Sequence, residues 1–187
     1  HRYSHIRYTH CSLFTDDVVA YANRLEIDLA DVKLAVVVQK MVQAEISGVA
    51  FTVDPITQDE TKLGIEAVYG LGDVISTGEV TPDSYLLNKR DLSILEKHIA
   101  PQEWMKVRTM NASHGKRGNE EKIKISSGWS HRQKLCDRDI QEISKIALII
   151  ENKSRSPQNI EWVISGGRAW VLQNKSLISE SMTYKVS

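Results

Sequence analysis

Apolar and polar positions alternate most cleanly between Asn159 and Lys175, in the run Asn-Ile-Glu-Trp-Val-Ile-Ser-Gly-Gly-Arg-Ala-Trp-Val-Leu-Gln-Asn-Lys. A period of two, split by Ser165-Gly166-Gly167, predicts a β-hairpin. Ile160, Trp162 and Ile164 should share an apolar face with Trp170 and Leu172, and Asn159, Glu161, Gln173 and Lys175 should occupy the other. Register decides whether that polar set exists, because a slip of one residue turns every side chain over. A two-residue Gly166-Gly167 turn pairs Glu161 with Leu172 and separates Glu161 from Gln173. A three-residue loop, Gly166 to Arg168, pairs Glu161 with Gln173 and Asn159 with Lys175, so the odd loop is expected, with a glycine at positive φ forming a bulge. Two readings of the polar face stay open. It is a solvated sheet face, or a carboxylate, two amides and an ammonium gathered for a hard cation and phosphate.

Elsewhere the periodicity shifts along the chain. Leu34 to Val42 is a near-continuous β-branched run, read as a strand buried on both faces and interrupted by Gln39. An amide there needs partners, so Gln39 is a structural amide or a ligand contact. Ser47 to Asp54 reads as the next strand, closed by Pro55 and forming a hairpin with the strand before it. Lys62 to Tyr69 follows, with Ile65, Ala67 and Tyr69 on one side and Glu66 and Val68 on the other. Tyr85 to Leu87, Ser93 to Ile99, Met105 to Thr109 and Lys122 to Ile125 read as short strands, and Asn111 to Glu121 as a mobile loop. The helical period appears in Ser12 to Arg24, where Val18, Val19, Ala22 and Leu25 should face inward. It is clearest in Asp137 to Asn152, with Asp137 as N-cap and a stripe of Ile140, Ile143, Ile146, Ala147 and Ile150. That stripe should pack on the apolar face of the hairpin. Strands in runs with two clear helices make the class α+β.

Composition narrows the function only by exclusion. A chain of 187 residues, 41% hydrophobic and 26% charged, supports a sizeable core. The formal net charge is zero, which gives no electrostatic case for nucleic acid or an anionic membrane. Cys11 and Cys136 stand far apart, which argues against a disulfide framework or zinc site and fits the cytoplasm. No run approaches a membrane span, and no signal peptide is visible. His1, His5 and His10 lack acidic or cysteine partners at ligand spacing, so residues 1–11 read as a mobile or edge segment. Gly70-Leu71-Gly72-Asp73 marks a tight turn after a strand, but it is neither a Rossmann fingerprint nor a P-loop. The chain opens on His1 rather than methionine, which reads as a fragment or a processed form.

Four separated segments, in order, resemble the ATP-binding domain of phosphoenolpyruvate synthase, pyruvate phosphate dikinase and rifampicin phosphotransferase. They are Val-Gln-Lys-Met-Val at 38–42, Ser-Gly-Val-Ala-Phe-Thr-Val-Asp-Pro at 47–55, Tyr-Gly-Leu-Gly-Asp at 69–73 with Thr81-Pro82-Asp83, and Ile-Glu-Trp with Leu-Gln-Asn-Lys in the hairpin. The likeness spans Ser12 to Ile178 and includes Ser-Leu-Phe-Thr-Asp at 12–16. It implies an ATP-grasp-like α+β fold, mostly antiparallel sheet with flanking helices. Residues 12–178 would be one subdomain, the C-terminal part of the nucleotide-binding domain, between an N-terminal segment (1–11) and a tail (179–187). It implies that Glu161 and Gln173 hold the magnesium bound to ATP. Lys175 would contact the phosphates as the catalytic cation, and Gln39, Met41 and Val42 would lie near adenine. Four positions depart from the family pattern: Asp73 stands for its glutamate, Asn159 for its aspartate, Lys175 for its arginine and Ser176 for its proline.

Nothing in the chain resembles the family's N-terminal subdomain, with its phosphate-gripping lysine and arginine. The phosphohistidine domain and the domain for pyruvate or antibiotic are also missing. Phosphoryl transfer needs charge neutralisation from several sides, so the chain is expected to be inactive alone. Two alternatives remain, a non-catalytic ATP-grasp-derived structural or interaction module and a piece of a rifampicin phosphotransferase.

Overall fold

The computed structural model describes residues 2–109 and 120–177. Two compact units divide between Met41 and Val42.

The first unit is helical. Helix α1 (Arg2–Cys11) replaces the mobile or edge segment expected there. A 3-10 turn (Ser12–Phe14) and helix α2 (Asp16–Arg24) replace the single helix expected from Ser12, because Thr15 is extended at φ −74 and ψ 150. Asp16 and Asp17 sit in the first turn of α2, where the helix dipole favours anions. Among the described residues of this unit only Ala22 is buried; Val18, Val19 and Leu25 are half-buried. The β-branched run from Leu34 to Val42 is not a strand. Residues 32–44 have no regular secondary structure, and Val37 and Val38 are 83% and 74% exposed. A strand exists only by pairing its N–H and C=O groups with a neighbour, and no described segment pairs with this run. The hairpin expected between it and the next strand is therefore not formed.

The second unit carries a six-stranded sheet in the order β4-β3-β2-β1-β7-β8, every neighbouring pair antiparallel. Its strands are β1 (Ile46–Phe51), β2 (Lys62–Tyr69), β3 (Asp83–Asn88), β4 (Ile94–His98), β7 (Gln158–Ser165) and β8 (Arg168–Ser176). A separate two-stranded arm, β5 (Trp104–Arg108) with β6 (Glu120–Lys124), docks through a parallel bridge between Gly70 and Lys106. Most of the loop expected from Asn111 to Glu121 lies outside the described residues, as does the tail at 179–187; Glu120 and Glu121 belong to β6. The class is α+β, with a mostly antiparallel sheet as in ATP-grasp domains.

One face of the sheet is the core. Two short helices, α3 (Asp73–Ser76) and α4 (Ser127–Ser130), precede the long helix α5 (Asp137–Ser154). Ala50, Leu63, Ile65, Ala67, Tyr85 and Leu87 join Ile160, Trp162 and Ile164 beneath α5, which inserts Ile140, Ile143 and Ala147. The isoleucine stripe therefore meets the hairpin as its periodicity predicts, although Ile146 is only half-buried. The N-cap is Cys136 rather than Asp137, which lies inside the first turn with Asp139. Gly48 is required at the centre of this face. A Cβ there would stand 1.9 Å from the Glu66 carbonyl oxygen and 2.4 Å from Trp162 Cζ2. Among the described residues no helix is long and apolar enough to cross a membrane.

Candidate functional site

The opposite face of the sheet carries the polar side chains. Its register aligns Gln173, Glu161, Val49, Glu66, Ser84 and His98 in one row across β8, β7, β1, β2, β3 and β4. The adjacent row is Lys175, Asn159, Phe51, Gly64, Leu86 and Glu96. The third row, toward the hairpin turn, contains Trp170, Val163, Ser47 and Val68, and it is roofed over. The Ser47 hydroxyl donates to the Gly70 carbonyl at 2.5 Å, and Val68 packs against Val74 and Val80. The two polar rows thus remain open between this roof and the loop after β1.

Glu161 pairs with Gln173 and Asn159 with Lys175, the register expected from sequence. The route to it differs. Ser165 pairs with Arg168, so the turn has two residues, Gly166 and Gly167, at φ 59 and 67. Positive φ at both positions is the requirement of the tight type I′ hairpin turn, which glycine meets without strain. Parity is restored further along. Trp162 pairs with Val171 and Glu161 with Gln173, leaving Leu172 as an extra, bulged residue. Consequently Trp170 and Leu172 do not join the apolar face. Ala169 and Val171 stand opposite Ile164 and Trp162, while Trp170 and Leu172 are 46% and 36% exposed.

The donor set suits a hard cation. Glu161 is half-buried, Gln173 and Lys175 are exposed, and the Asn159 side-chain oxygen is buried without a hydrogen-bond partner. One carboxylate and two amide oxygens are hard ligands. Among the described residues no cluster of three or more His, Cys, Asp or Glu can hold a metal ion, so a cation bound here would need oxygens from phosphate and water. Gln39 and Met41 are exposed residues of the first unit, and Val42 is a half-buried residue at the start of the second.

Sequence reasoning passed over two charged residues. Lys106 lies between Asp73 and Glu120, 2.9 Å from the latter and ion-paired to the former. Both carboxylates hold its ammonium above the ordinary lysine range, so the Asp73 of the glycine turn is already engaged by the arm. Lys122 fastens the same arm to Glu79 at 2.6 Å. The other residue is Glu66, half-buried on the open face, whose carboxyl is raised above the usual glutamate range by burial. It lines a groove of about 500 Å³ with Phe51, Ile56, Ser84, Leu86 and His98. The signal was its parity with Glu161, visible only once the strand order is known.

Comparison with known proteins converges on one family. The model of the pyruvate phosphate dikinase AMP/ATP-binding domain matches residues 1–185. A probable phosphoenolpyruvate synthase of Methanocaldococcus jannaschii is 38% identical over 166 residues, covering 89% of this chain and 14% of that protein. The phosphoenolpyruvate synthase of Pyrococcus furiosus is 34% identical over 168 residues, covering 89% of this chain and 21% of that protein. The rifampicin phosphotransferase of Bacillus subtilis is 34% identical over 174 residues, covering 92% of this chain and 19% of that protein. The chain therefore spans between a seventh and about a fifth of the length of these relatives. Four motifs in order, an antiparallel sheet with one open polar face and a family match over nearly the whole chain lead to one assignment: the chain belongs to the pyruvate phosphate dikinase AMP/ATP-binding domain family.

Proposed function

We propose that the open face binds the phosphates of ATP together with magnesium, as the nucleotide-binding portion of a cytoplasmic phosphoenolpyruvate-synthase-like phosphotransferase. The carrying observation is the cross-strand pair Glu161 and Gln173 beside the unpartnered Asn159 oxygen. Glu161 and Gln173 would hold the metal, which when bound neutralises phosphate charge. Lys175, pairing with Asn159 on the same face, contributes the catalytic point charge against phosphate, without the fork of an arginine. The family resemblance assigns Gln39, Met41 and Val42 to adenine. The whole protein supplies the N-terminal ATP-grasp subdomain and a phosphohistidine domain, which receives the phosphoryl group and passes it to pyruvate or a similar small acceptor.

Asn159 and Lys175 favour a second reading, a non-catalytic structural or interaction module. An amide replaces a carboxylate where a dication would sit, which removes one negative charge at short range. Titration calorimetry with ATP, with and without magnesium, decides between the two on a chain that includes the N-terminal subdomain. Glu161→Gln should weaken the magnesium-dependent binding and Asn159→Asp should tighten it. If neither substitution changes the magnesium dependence, the face is not a metal–phosphate site.

The 187-residue chain alone should show no steady conversion of ATP to AMP with pyruvate or rifampicin present. Turnover above that of Glu161→Ala would show that half the cleft suffices.

A further inference from the structure

We infer that Glu66 is the acceptor-side residue of the phosphoryl transfer: its carboxylate receives the proton of the incoming N–H or O–H nucleophile across strand β1 from Glu161. The inference rests on the metal–phosphate reading of the Glu161 side and extends it to the other half of the face.

Geometry is the first support. Val49 is the cross-strand partner of both Glu161 and Glu66, so the two carboxylates face the same side on either flank of one apolar residue. Two strand spacings put their backbones about 9.5 Å apart. That is too far for one cation to bind both directly, and far enough for a phosphoryl group to lie between. In-line displacement needs the leaving oxygen and the nucleophile on opposite sides of phosphorus, and two subsites flanking Val49 meet that need.

The second support is that Glu66 has no internal use. Among the described residues its carboxylate makes no hydrogen bond and no ion pair, although the residue is half-buried. An unpaired carboxylate in that position costs stability, whereas Gln in the same strand would not carry that charge. The groups around it leave it free. Lys62, on the same strand face, is drawn to Asp59 at 3.4 Å and Asp54 at 4.0 Å. From β3 come the uncharged Ser84 and Leu86, from β4 come Glu96 and His98, and from β7 comes Glu161 beyond Val49. Lys97 also lines the groove, and its ammonium donates to Gln133 Oε1 at 3.0 Å, so both lysines there are already engaged. The groove beside Glu66 has the size of a small-ligand subsite. Burial raises the proton affinity of the carboxyl, which suits a base that must take a proton near neutral pH.

The step balances. A lone pair of the acceptor nitrogen or oxygen forms the new bond to phosphorus while the bridging P–O bond of the nucleotide breaks. The electron pair of that bond stays on the departing nucleotide oxygen. The nucleophile's proton, which on an imidazole acceptor sits on the ring nitrogen that does not attack, goes to Glu66 and is released to water after the product leaves.

The test uses the full-length polypeptide that carries these residues. Glu66→Gln should leave magnesium-dependent ATP binding within about twofold of the unsubstituted protein. It should slow phosphoryl transfer about a hundredfold and abolish the acidic limb of the rate–pH profile. Glu66→Asp should recover part of the rate and keep the limb. Unchanged rate and profile in Glu66→Gln would overturn the assignment, and so would a loss of ATP binding equal to that of Glu161→Gln. A second measurement needs no turnover: with ATP and magnesium bound, imidazole should shift the carboxyl carbon resonance of Glu66. No response at saturating imidazole also overturns it. Failure of the metal–phosphate reading appears separately, as magnesium-dependent binding that Glu161→Gln does not alter.

Discussion

Replacing Lys134 by methionine should destabilise the second unit by about 3–5 kcal/mol. The Lys134 and Asp83 side chains are both 0% exposed and meet at 2.6 Å. The ammonium also donates to the Ala100 carbonyl at 2.9 Å. Asp83 accepts from the backbone N–H groups of Ala100 and Lys134 at 3.0 and 2.8 Å, and from the Tyr85 hydroxyl at 3.0 Å. This node ties β3 to the segments around Ala100 and Lys134, and removing the cation strands a carboxylate in the core. Burial and the adjacent Asp83 raise the Tyr85 hydroxyl above its ordinary range, so the phenol stays a donor and adds no second charge. The double variant Asp83→Leu/Lys134→Met should regain little or none of the loss, since two backbone donors and the phenol lose their acceptor at about 1–3 kcal/mol each. Urea unfolding of the two variants measures both statements. A Lys134→Met cost under ~1 kcal/mol would mean that water reaches Asp83 once the lysine is gone.

Gly48→Ala should be almost as damaging, at about 3 kcal/mol, through overpacking at the centre of the sheet. The added carbon meets the Glu66 carbonyl oxygen at 1.9 Å and the Trp162 ring at 2.4 Å. These two clashes separate by experiment. Trp162→Phe on the Gly48→Ala background can relieve only the ring contact, because the carbonyl belongs to the ladder between β1 and β2. Partial rescue by Trp162→Phe is expected; full rescue would mean that β1 and β2 can spread to admit a methyl group.

Much of the second unit was legible because its elements carry their own period. Ile140, Ile143 and Ala147 mark the core stripe of α5 by spacing alone, and alternation in Lys62 to Tyr69 assigns each side chain to the face it occupies. Leu34 to Val42 misled for a physical reason. β-Branched side chains express a preference for a pleated surface, and preference without a hydrogen-bonding neighbour makes no strand. The glycine pair was legible as a turn but its length was not, because the register argument chose a three-residue loop where two glycines at positive φ form a two-residue one. The bulge at Leu172 was not legible, since nothing in Val-Leu-Gln distinguishes an extra residue from a paired one. Glu161 and Gln173 were legible as neighbours because they share one hairpin. Glu66 was not legible as a site residue because its meaning depends on β1 lying between β2 and β7, a contact between segments more than 100 residues apart in the chain.

The bulge at Leu172 has an evolutionary consequence. β8 alternates regularly from Arg168 to Val171 and again from Gln173 onward, and Leu172 is the surplus between the two stretches. Lineages could drop or regain a residue at that point without turning Gln173 or Lys175 away from Glu161 and Asn159. An insertion or deletion between Gln173 and Lys175 has no such freedom, because it would carry the ammonium to the core side of the sheet. Length variation in this hairpin should therefore concentrate on the turn side of Gln173, with the spacing from Gln173 to Lys175 held at two.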